Sequence, residues 1–326
     1  MEILILSEND IKNLIDIHDA IEIVEEVFKL YATQNITLCA PSFLTIYNKN
    51  VVFAMPAYIM KKYKIFGVKW MCHFPENLQK YAIPTHIGII ILNDVNTGTP
   101  IAVLNANYLT AIRTGAVSAI GAKYLANINS EIIGIVGAGV EARSNLEALC
   151  SIFKIKKVKV ISRSTESALL FAKEESSKLG IDIQTMKDVD DVIKGSDIIV
   201  LATPVRFPFV KNEYVKEGAL VIDLGSYQQC SDEFIKKADK IVIDSLKSFF
   251  SIGIGSFADS VRRGVVSTQR IYAEIGEIII GKKKGREHKH ERILFTHSGI
   301  AALDMATAYE VYHRAKRKNI GYSIVI

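Results

Sequence analysis

The chain has 326 residues, of which 49% are hydrophobic and 23% charged, and its formal net charge is +5. Roughly 150 residues make a typical domain, so this composition predicts a folded globular protein of two domains. Lys and Arg are mixed with 35 acidic residues along most of the chain, which argues against a nucleic-acid-binding surface.

The cysteines and the N-terminal sequence restrict the class of protein further. Four cysteines, at positions 39, 72, 150 and 230, lie far apart without a CxxC pair, so we expect neither a metal site nor disulfides. From its first residues we expect no basic and apolar leader, and the printed sequence contains no apolar run of about 18 residues. We therefore expect a cytoplasmic protein that does not bind membranes.

The first third of the chain predicts an α+β region with an antiparallel sheet. Ser7, with Asp10 three residues later, is typical of a helix start, and a second helix is predicted over residues 19–31. Short β-branched and aromatic runs follow, separated by hairpin-like turns at 48–50 and 94–98. The predicted strands cover residues 43–47, 51–55, 65–71, 86–92 and 101–105.

A helix rich in small residues is predicted over 110–125, and the segment 132–142 (IIGIVGAGVEA) follows it. This segment is a β-branched run, a glycine turn and the start of an apolar helical stripe. In a dinucleotide-binding fold Gly137 allows the turn, Gly139 lets the backbone approach a pyrophosphate, and Ala142 permits close packing of helix on strand. The phosphates would bind at the N-terminus of the helix that follows.

Strands and helices alternate after the glycine turn. Strands are predicted at 158–161, 181–185, 198–202, 220–224 and 240–244, with helices at 165–179 and 189–193. This alternation indicates a parallel, doubly wound Rossmann sheet that binds ligands at the carboxyl ends of its strands. A last helix, 301–318, is long enough to pack back on the first domain.

The residues after the second strand of this fold usually discriminate between the two nicotinamide cofactors. Here they are Ser162, Arg163 and Ser164, and the first carboxylate after the strand is Glu166. An anion fits this segment better than a pair of hydroxyl groups, so NADP is favoured over NAD. Alternatively, Arg163 stacks on the adenine, which serves either cofactor.

Several segments together resemble the ornithine cyclodeaminase and mu-crystallin family, and they occur in the family's order over nearly the whole chain. They are MPAY at 55–58, GVK at 67–69, FPEN at 74–77, DVNTGTP at 94–100, LTAIRTGAVSA at 109–119, the glycine turn, ATP at 202–204, EIGE at 274–277 and GIAALD at 299–304.

The resemblance implies a homodimer of two-domain subunits. Residues 1–115 with 303–326 would form an α+β substrate-binding and dimerisation domain completed by the C-terminal helix, and residues 116–302 the dinucleotide-binding domain. It also implies chemistry at an α-carbon that bears nitrogen, as in cyclodeaminases, alanine dehydrogenases, ketimine reductases and opine-type dehydrogenases. The cofactor would contact Thr114, Gly137, Gly139, Val140, Ala142, Ser162, Arg163, Ser164, Thr203, Gly225 and Ser226.

Hydride transfer between the substrate α-carbon and nicotinamide needs a cation for the carboxylate and a proton donor near the nitrogen. By resemblance Lys69 and Arg113 meet these needs, with Lys69 as a catalytic residue. Thr85 would add a hydroxyl group, and Asp304 would orient the substrate amine. The alternatives are a strand lysine with its amine in water for Lys69, and a structural ion pair for Arg113.

Three positions depart from the family pattern. Ser42 follows Pro41, where many members have a carboxylate-binding arginine shortly after the proline. Tyr227 stands in place of the acidic residue of the ornithine cyclodeaminases, and His297 replaces a frequent serine. Tyr227 and His297 are candidate proton relays, since a histidine titrates near neutral pH. His297 could equally be a packed or capping residue.

Three functions remain open from the sequence. The leading hypothesis is NAD(P)-dependent redox at a small amino or imino acid. The second is cyclodeamination of ornithine to proline and ammonia, against which the absence of the acidic residue near Tyr227 argues because that reaction needs a base. The third is a small-ligand binder of the mu-crystallin type that is not an enzyme.

Overall fold

The computed structural model describes residues 2–47, 49–225 and 227–326. The chain divides into two compact units, Met1–Arg113 with Ile300–Ile326 and Thr114–Gly299. The proposed assignment of substrate binding and dimerisation to residues 1–115 with 303–326, and of cofactor binding to 116–302, remains a prediction.

The first unit combines seven strands from the N-terminal part of the chain with a C-terminal helix and strand. Its elements are β1 (Glu2–Leu6), α1 (Glu8–Lys12), α2 (Ile17–Ala32), β2 (Ile36–Leu38), β3 (Ser42–Ile46), β4 (Asn50–Ile59), β5 (Ile65–His73), α3 (Asn77–Tyr81), β6 (His86–Asp94), β7 (Pro100–Asn105), α12 (Ala301–Lys318) and β16 (Tyr322–Val325). Helix α4 (Asn107–Leu125) contains the boundary between the units.

Local signals place several of these elements. Ser7 caps α1 in a capping box with Asp10, as predicted, because the serine oxygen and the Asp10 carboxylate satisfy each other's backbone N–H. The turn at 94–98 also forms: Asp94 accepts hydrogen bonds from the backbone N–H groups of Asn96 and Thr97. Part of the predicted turn at 48–50 lies outside the described residues.

The predicted strands of the first unit pair antiparallel, as expected. The sheet as a whole is mixed, because β1, which was not predicted, is added parallel to β7. Its order is β16-β1-β7-β6-β5-β4-β2, with β3 paired to β4. β1 runs parallel to β7 and antiparallel to β16. These two pairings join segments far apart in the chain, which turn signals between neighbouring runs cannot reveal. Helix α12 packs on β4, β5 and β6, as predicted for the last helix.

The second unit is built of alternating strands and helices. Its elements are β8 (Ile132–Val136), α5 (Val140–Ile152), β9 (Lys157–Ile161), α6 (Thr165–Leu179), β10 (Asp182–Thr185), α7 (Val189–Ile193), β11 (Ile198–Leu201), β12 (Leu220–Asp223), α8 (Asp232–Lys237), β13 (Lys240–Ile243), α9 (Leu246–Ile252), α10 (Ser256–Arg262), a short 3₁₀ turn (Thr268–Arg270), β14 (Ile271–Glu274), α11 (Ile275–Ile279) and β15 (Ile293–Thr296).

The eight strands of this unit form one parallel sheet in the order β10-β9-β8-β11-β12-β15-β13-β14. The predicted α/β, doubly wound architecture is confirmed. The chain proceeds from β8 outward through β9 and β10, then returns to the other side of β8 with β11 and β12. The strand order therefore reverses beside β8, which is where such sheets bind ligands, outside the carboxyl ends of their strands.

Candidate active site

The glycine turn closes the carboxyl end of β8. Gly137 has a φ of +123°, which L side chains rarely adopt, and a Cβ there would lie 2.1 Å from the carbonyl oxygen of Ala202. A Cβ on Gly139 would meet nothing within 4 Å, while Ala142 is completely buried. Gly137 is thus required by its own backbone and by the neighbouring loop, and Gly139 leaves the backbone open to close approach by a ligand.

Helix α5 begins directly after these glycines. Its N-cap, Gly139, supplies no side-chain capping hydrogen bond, and the helix extends over 13 residues. Amide N–H groups and the helix dipole at such an N-terminus favour an anion, and Val140 is 67% exposed beside it. The residues here fit the pyrophosphate of a dinucleotide.

The segment predicted to select the cofactor lies beside the turn, because the Gly137 N–H donates to the Ile161 carbonyl at 2.8 Å. The Ser164 hydroxyl accepts from the Ser167 N–H at 3.2 Å and caps α6. Ser162 is half-buried and Arg163 is exposed. Of the three residues 162–164, Arg163 thus carries the positive charge and presents it to solvent.

Two further loops at the same edge of the sheet carry Thr203 and Gly225, and Gln229 connects them. The Gln229 side-chain amide donates to the carbonyl oxygens of Thr203 at 2.5 Å and Val205 at 3.2 Å. A Cβ on Gly225 would lie 2.7 Å from the Gln229 Cδ. The sequence did not predict this role of Gln229, because its partners Thr203 and Val205 lie 26 and 24 positions away in the chain. Ser226 lies outside the described residues.

Two buried carboxylates brace the loops at the carboxyl ends of β12 and β13. Asp223 accepts the backbone N–H groups of Gly225 at 3.0 Å and Ser256 at 2.8 Å. Asp244, after β13, accepts those of Ser298 at 2.9 Å and Gly299 at 2.6 Å. Both side chains act on backbone conformation.

His297 is 6% exposed and lies just after β15. Its Nε2 is 3.0 Å from the Ser118 Oγ of α4, and its ring lies 5.2 Å from that of Phe295. Thr114, a predicted cofactor residue on the same helix, is 9% exposed. The bond to Ser118 gives His297 a packing and positioning role, and its role as a proton relay stays a prediction.

Tyr227, the other candidate relay, pairs with Arg206. The Arg206 Nη2 donates to the Tyr227 hydroxyl at 2.8 Å, and the guanidinium lies 4.3 Å from the centre of the tyrosine ring. The phenol therefore sits beside a cation. This segment therefore carries a tyrosine that is hydrogen-bonded to an arginine.

In the first unit, Lys69, Arg113 and Asp304 come together from β5, α4 and α12. The Lys69 Nζ lies 2.8 Å from Asp304 Oδ2, and the Arg113 Nε lies 3.1 Å from Asp304 Oδ1. The side chains are 2%, 6% and 0% exposed respectively. The two cations share one carboxylate, so the cluster keeps one net positive charge.

Burial raises the pKa of Asp304, but the opposing charges of Arg113 and Lys69 outweigh burial and hold that pKa below its usual value. The carboxylate therefore stays ionised at neutral pH. Because its side chain is completely buried and engaged with both cations, the geometry favours a positioning role for Asp304 over the predicted contact with a substrate amine.

Thr85 precedes β6 and is half-buried. Its backbone carbonyl accepts from the Phe74 N–H at 2.8 Å, and its hydroxyl lies 3.4 Å from the His86 Nδ1. The structure thus joins Thr85 to the carboxyl end of β5, the strand that carries Lys69.

Comparison with known proteins agrees with this geometry. The sequence profile of the ornithine cyclodeaminase/mu-crystallin family matches residues 1–319. The chain is 36% identical to an alanine dehydrogenase of Archaeoglobus fulgidus, over 99% of this chain and 98% of that protein. This chain belongs to the ornithine cyclodeaminase/mu-crystallin family.

Solved structures of family members have the same fold. A Thermococcus litoralis Δ1-pyrroline-2-carboxylate reductase in complex with NADH and L-proline superposes with a TM-score of 0.94 at 33% identity, covering 99% of this chain and 100% of its own. An archaeal alanine dehydrogenase dimer with bound NAD has a TM-score of 0.93 at 36% identity, with complete coverage of both chains.

Among the residues that the structure describes, no helix is both long and apolar enough to cross a membrane. No group of three or more His, Cys, Asp or Glu side chains in residues 2–47, 49–225 and 227–326 is arranged to hold a metal ion.

Proposed function

We propose that this family member is an enzyme that catalyses nicotinamide-dependent redox at the α-carbon of a small amino or imino acid. The observation that carries the proposal is the buried cluster of Lys69, Arg113 and Asp304, whose net positive charge suits an α-carboxylate. The glycine turn, which fits a dinucleotide, supplies the second requirement.

In the oxidative direction, the substrate α-carbon loses a hydride and its nitrogen loses a proton, which leaves an imine conjugated with the carboxylate. The nicotinamide group, when bound, accepts that hydride or returns it. Arg113 holds the substrate carboxylate through its guanidinium, and Lys69 exchanges a proton with the substrate nitrogen. Asp304 keeps both cations in place without contacting the substrate.

The direct test is the oxidation of NADH and NADPH in the presence of pyrroline-2-carboxylate, or of a 2-oxo acid with ammonia. We expect consumption of the reduced cofactor and formation of the corresponding amino acid. Folded protein that turns over none of these compounds would contradict the proposal. L-Ornithine serves as a separate substrate: release of ammonia and proline without net redox would identify a cyclodeaminase instead.

The preference between NADP and NAD rests on Arg163. We propose that this exposed cation accepts the 2′-phosphate of NADP, because the sequence has no carboxylate between the end of β9 and Glu166. The two solved relatives bind NADH and NAD, so the preference has to be measured. We expect Arg163→Ala to lower kcat/KM for NADPH about tenfold relative to NADH, equivalent to about 1.4 kcal/mol. Equal effects on both cofactors would indicate that Arg163 stacks on the adenine.

We also propose that the enzyme is a homodimer that buries the face of the β5–β6 sheet opposite Lys69. Trp70, Ile87 and Ile89 on that face are 45%, 37% and 39% exposed, and Trp70 pairs with Ile89 across the two strands. A contiguous apolar face of this kind marks an interaction surface, and the archaeal alanine dehydrogenase is a dimer. Sedimentation should show a dimer for the native chain and a monomer for Trp70→Arg; a native monomer would refute this assembly.

A further inference from the structure

Two histidines lie opposite each other at the carboxyl end of β5 and the start of β6. His73 and His86 are direct cross-strand partners, and their ring centroids are 4.3 Å apart with an interplanar angle of 35°. The His86 Nδ1 lies 3.4 Å from the Thr85 hydroxyl. The pair is therefore next to a predicted substrate-binding residue.

The pair shares a face of the sheet with Lys69. Side chains alternate along a strand, so Lys69, Met71 and His73 of β5 point to the same side, and the register places His86 of β6 with them. Lys69 and His73 are four positions apart, which is roughly 13 Å along the strand at about 3.3 Å per residue. This face thus carries the charge cluster and, further along, the two imidazoles.

Within the part of the chain that the structure describes, no carboxylate is among the groups that shift the pKa values of the pair. Burial lowers the pKa of His73. Burial, with repulsion from His73 and Lys69, lowers the pKa of His86 to about 4, although its side chain keeps solvent access. Both rings are neutral at pH 7, and an arriving anion would favour their protonated form.

The His73 ring also has an unused polar atom. Its Nδ1 is buried and has no hydrogen-bond partner among the described residues. A buried imidazole nitrogen without a hydrogen-bond partner is unfavourable. A carboxylate would accept hydrogen bonds from the pair once a proton is bound.

On the basis of the proposed function, we propose that His73 and His86 bind the side-chain carboxylate of a dicarboxylic amino or imino acid, with uptake of a proton. The α-carboxylate binds at Lys69 and Arg113, and the second carboxylate extends along the same sheet face. The proton comes from solvent and returns there when the ligand leaves. The two histidines thus select the substrate's side chain.

Calorimetric binding of L-aspartate, L-glutamate and L-alanine to the NADPH-loaded protein tests this inference without turnover, because a reduced cofactor cannot accept a hydride from an amino acid. Buffers of different ionisation enthalpy report the protons exchanged. We expect at least one dicarboxylic acid to bind about tenfold more tightly than alanine at pH 7 and to take up about one proton, whereas alanine takes up none. From pH 8 to 6 its affinity should rise by up to about tenfold per pH unit, while alanine's does not.

Variants assign the effect to the pair. His73→Gln and His86→Gln should each reduce the ratio of dicarboxylic acid to alanine affinity about tenfold and abolish the proton uptake. His18→Gln, an exposed histidine on α2, is the matched control and should keep the wild-type ratio. Lys69→Met should weaken both classes of ligand and leave their ratio near the wild-type value.

The outcomes separate this inference from the proposed function. Turnover of alanine or its imine without preference for a dicarboxylic acid, or without proton uptake, overturns the role of the pair and retains the redox function. Proton-linked binding of aspartate or glutamate without cofactor turnover supports the pair and contradicts the redox function. Failure of all three amino acids to bind contradicts the pair.

Discussion

Two buried carboxylates, one in each unit, are stabilised in different ways. Asp304 of the first unit is completely buried and lies between two cations, whose charges outweigh burial and lower its pKa. Asp223 of the second unit is 1% exposed and accepts backbone N–H groups. Burial is the largest influence there and, with the nearby Asp259 carboxylate, outweighs these hydrogen bonds, raising the pKa of Asp223 to about 6.

The difference follows the ligands that the two regions are proposed to bind. The proposed carboxylate site uses the cationic side chains of Lys69 and Arg113, which are long and flexible. The buried Asp304 carboxylate holds both of them in one position. A site for a dinucleotide pyrophosphate uses backbone N–H groups, so its carboxylate fixes loops instead of charges. Each prediction below perturbs one side of this comparison.

The largest effect is expected at Lys69. Lys69→Met removes the proposed proton donor and should lower kcat/KM for the amino-acid substrate by about 10²- to 10⁴-fold, the range that a general acid or base contributes. Steady-state assays with saturating cofactor measure it. Lys61→Met, at an exposed lysine after β4, is the control, and a loss of similar size there would show a nonspecific effect.

Next is Asp304→Asn, which leaves Lys69 and Arg113 buried without their counter-charge. Removing one partner of a buried ion pair costs about 3–5 kcal/mol, so the free energy of unfolding should fall by that amount in urea denaturation. Glu22→Gln, on an exposed position of α2, should remain close to wild type. A loss of unfolding free energy below about 1 kcal/mol would mean that water, and not Asp304, stabilises the charges of Lys69 and Arg113.

The contribution of Asp223 to stability should depend on pH. Because its pKa is raised and that of Asp304 is lowered, the two contributions should change in opposite directions as the pH rises. The folded pKa of Asp223, about 6, exceeds the ordinary carboxyl value of 3.8, so the folded protein holds this proton more tightly than the unfolded chain. Its contribution to stability should therefore fall by about 3 kcal/mol as the pH rises from 4 to 6.

Urea denaturation of wild type and Asp223→Asn at several pH values isolates this contribution. The stability of the wild type relative to the variant should decline across the pH interval, and Asp182→Asn on β10 provides the exposed control. A difference between wild type and Asp223→Asn that does not change with pH would contradict the raised pKa.

The smallest effect on activity is expected at Gln229, whose side-chain amide donates hydrogen bonds to the Thr203 and Val205 carbonyl oxygens. Gln229→Leu leaves these two acceptors without the amide, at a cost of about 1–3 kcal/mol. We expect a higher KM for the nicotinamide cofactor and a smaller change in KM for the amino acid. Equal changes in both would show that the loop connection is not specific to the cofactor side.

Much of the second unit was predictable, because strand and helix periodicities are local. The helices at 165–179, 189–193 and 301–318 match the structure at both ends, and the glycine turn lies between β8 and α5 as expected. The parallel β1–β7 pairing and strand β16 were not predicted. Their partners are distant in sequence, and β16 is a mostly exposed edge strand, so its sequence lacks a clear alternation of apolar residues.

The sequence alone determined that a glycine turn, a lysine, an arginine and an aspartate of family-like motifs are present, since each is defined by its neighbours in the chain. Only the tertiary structure decided that Asp304 is the shared counter-charge of Lys69 and Arg113, and that His73 faces His86. Burial and charge pairing depend on which side chains meet in space. Residues 235 positions apart, such as Lys69 and Asp304, meet through packing of α12 on β5.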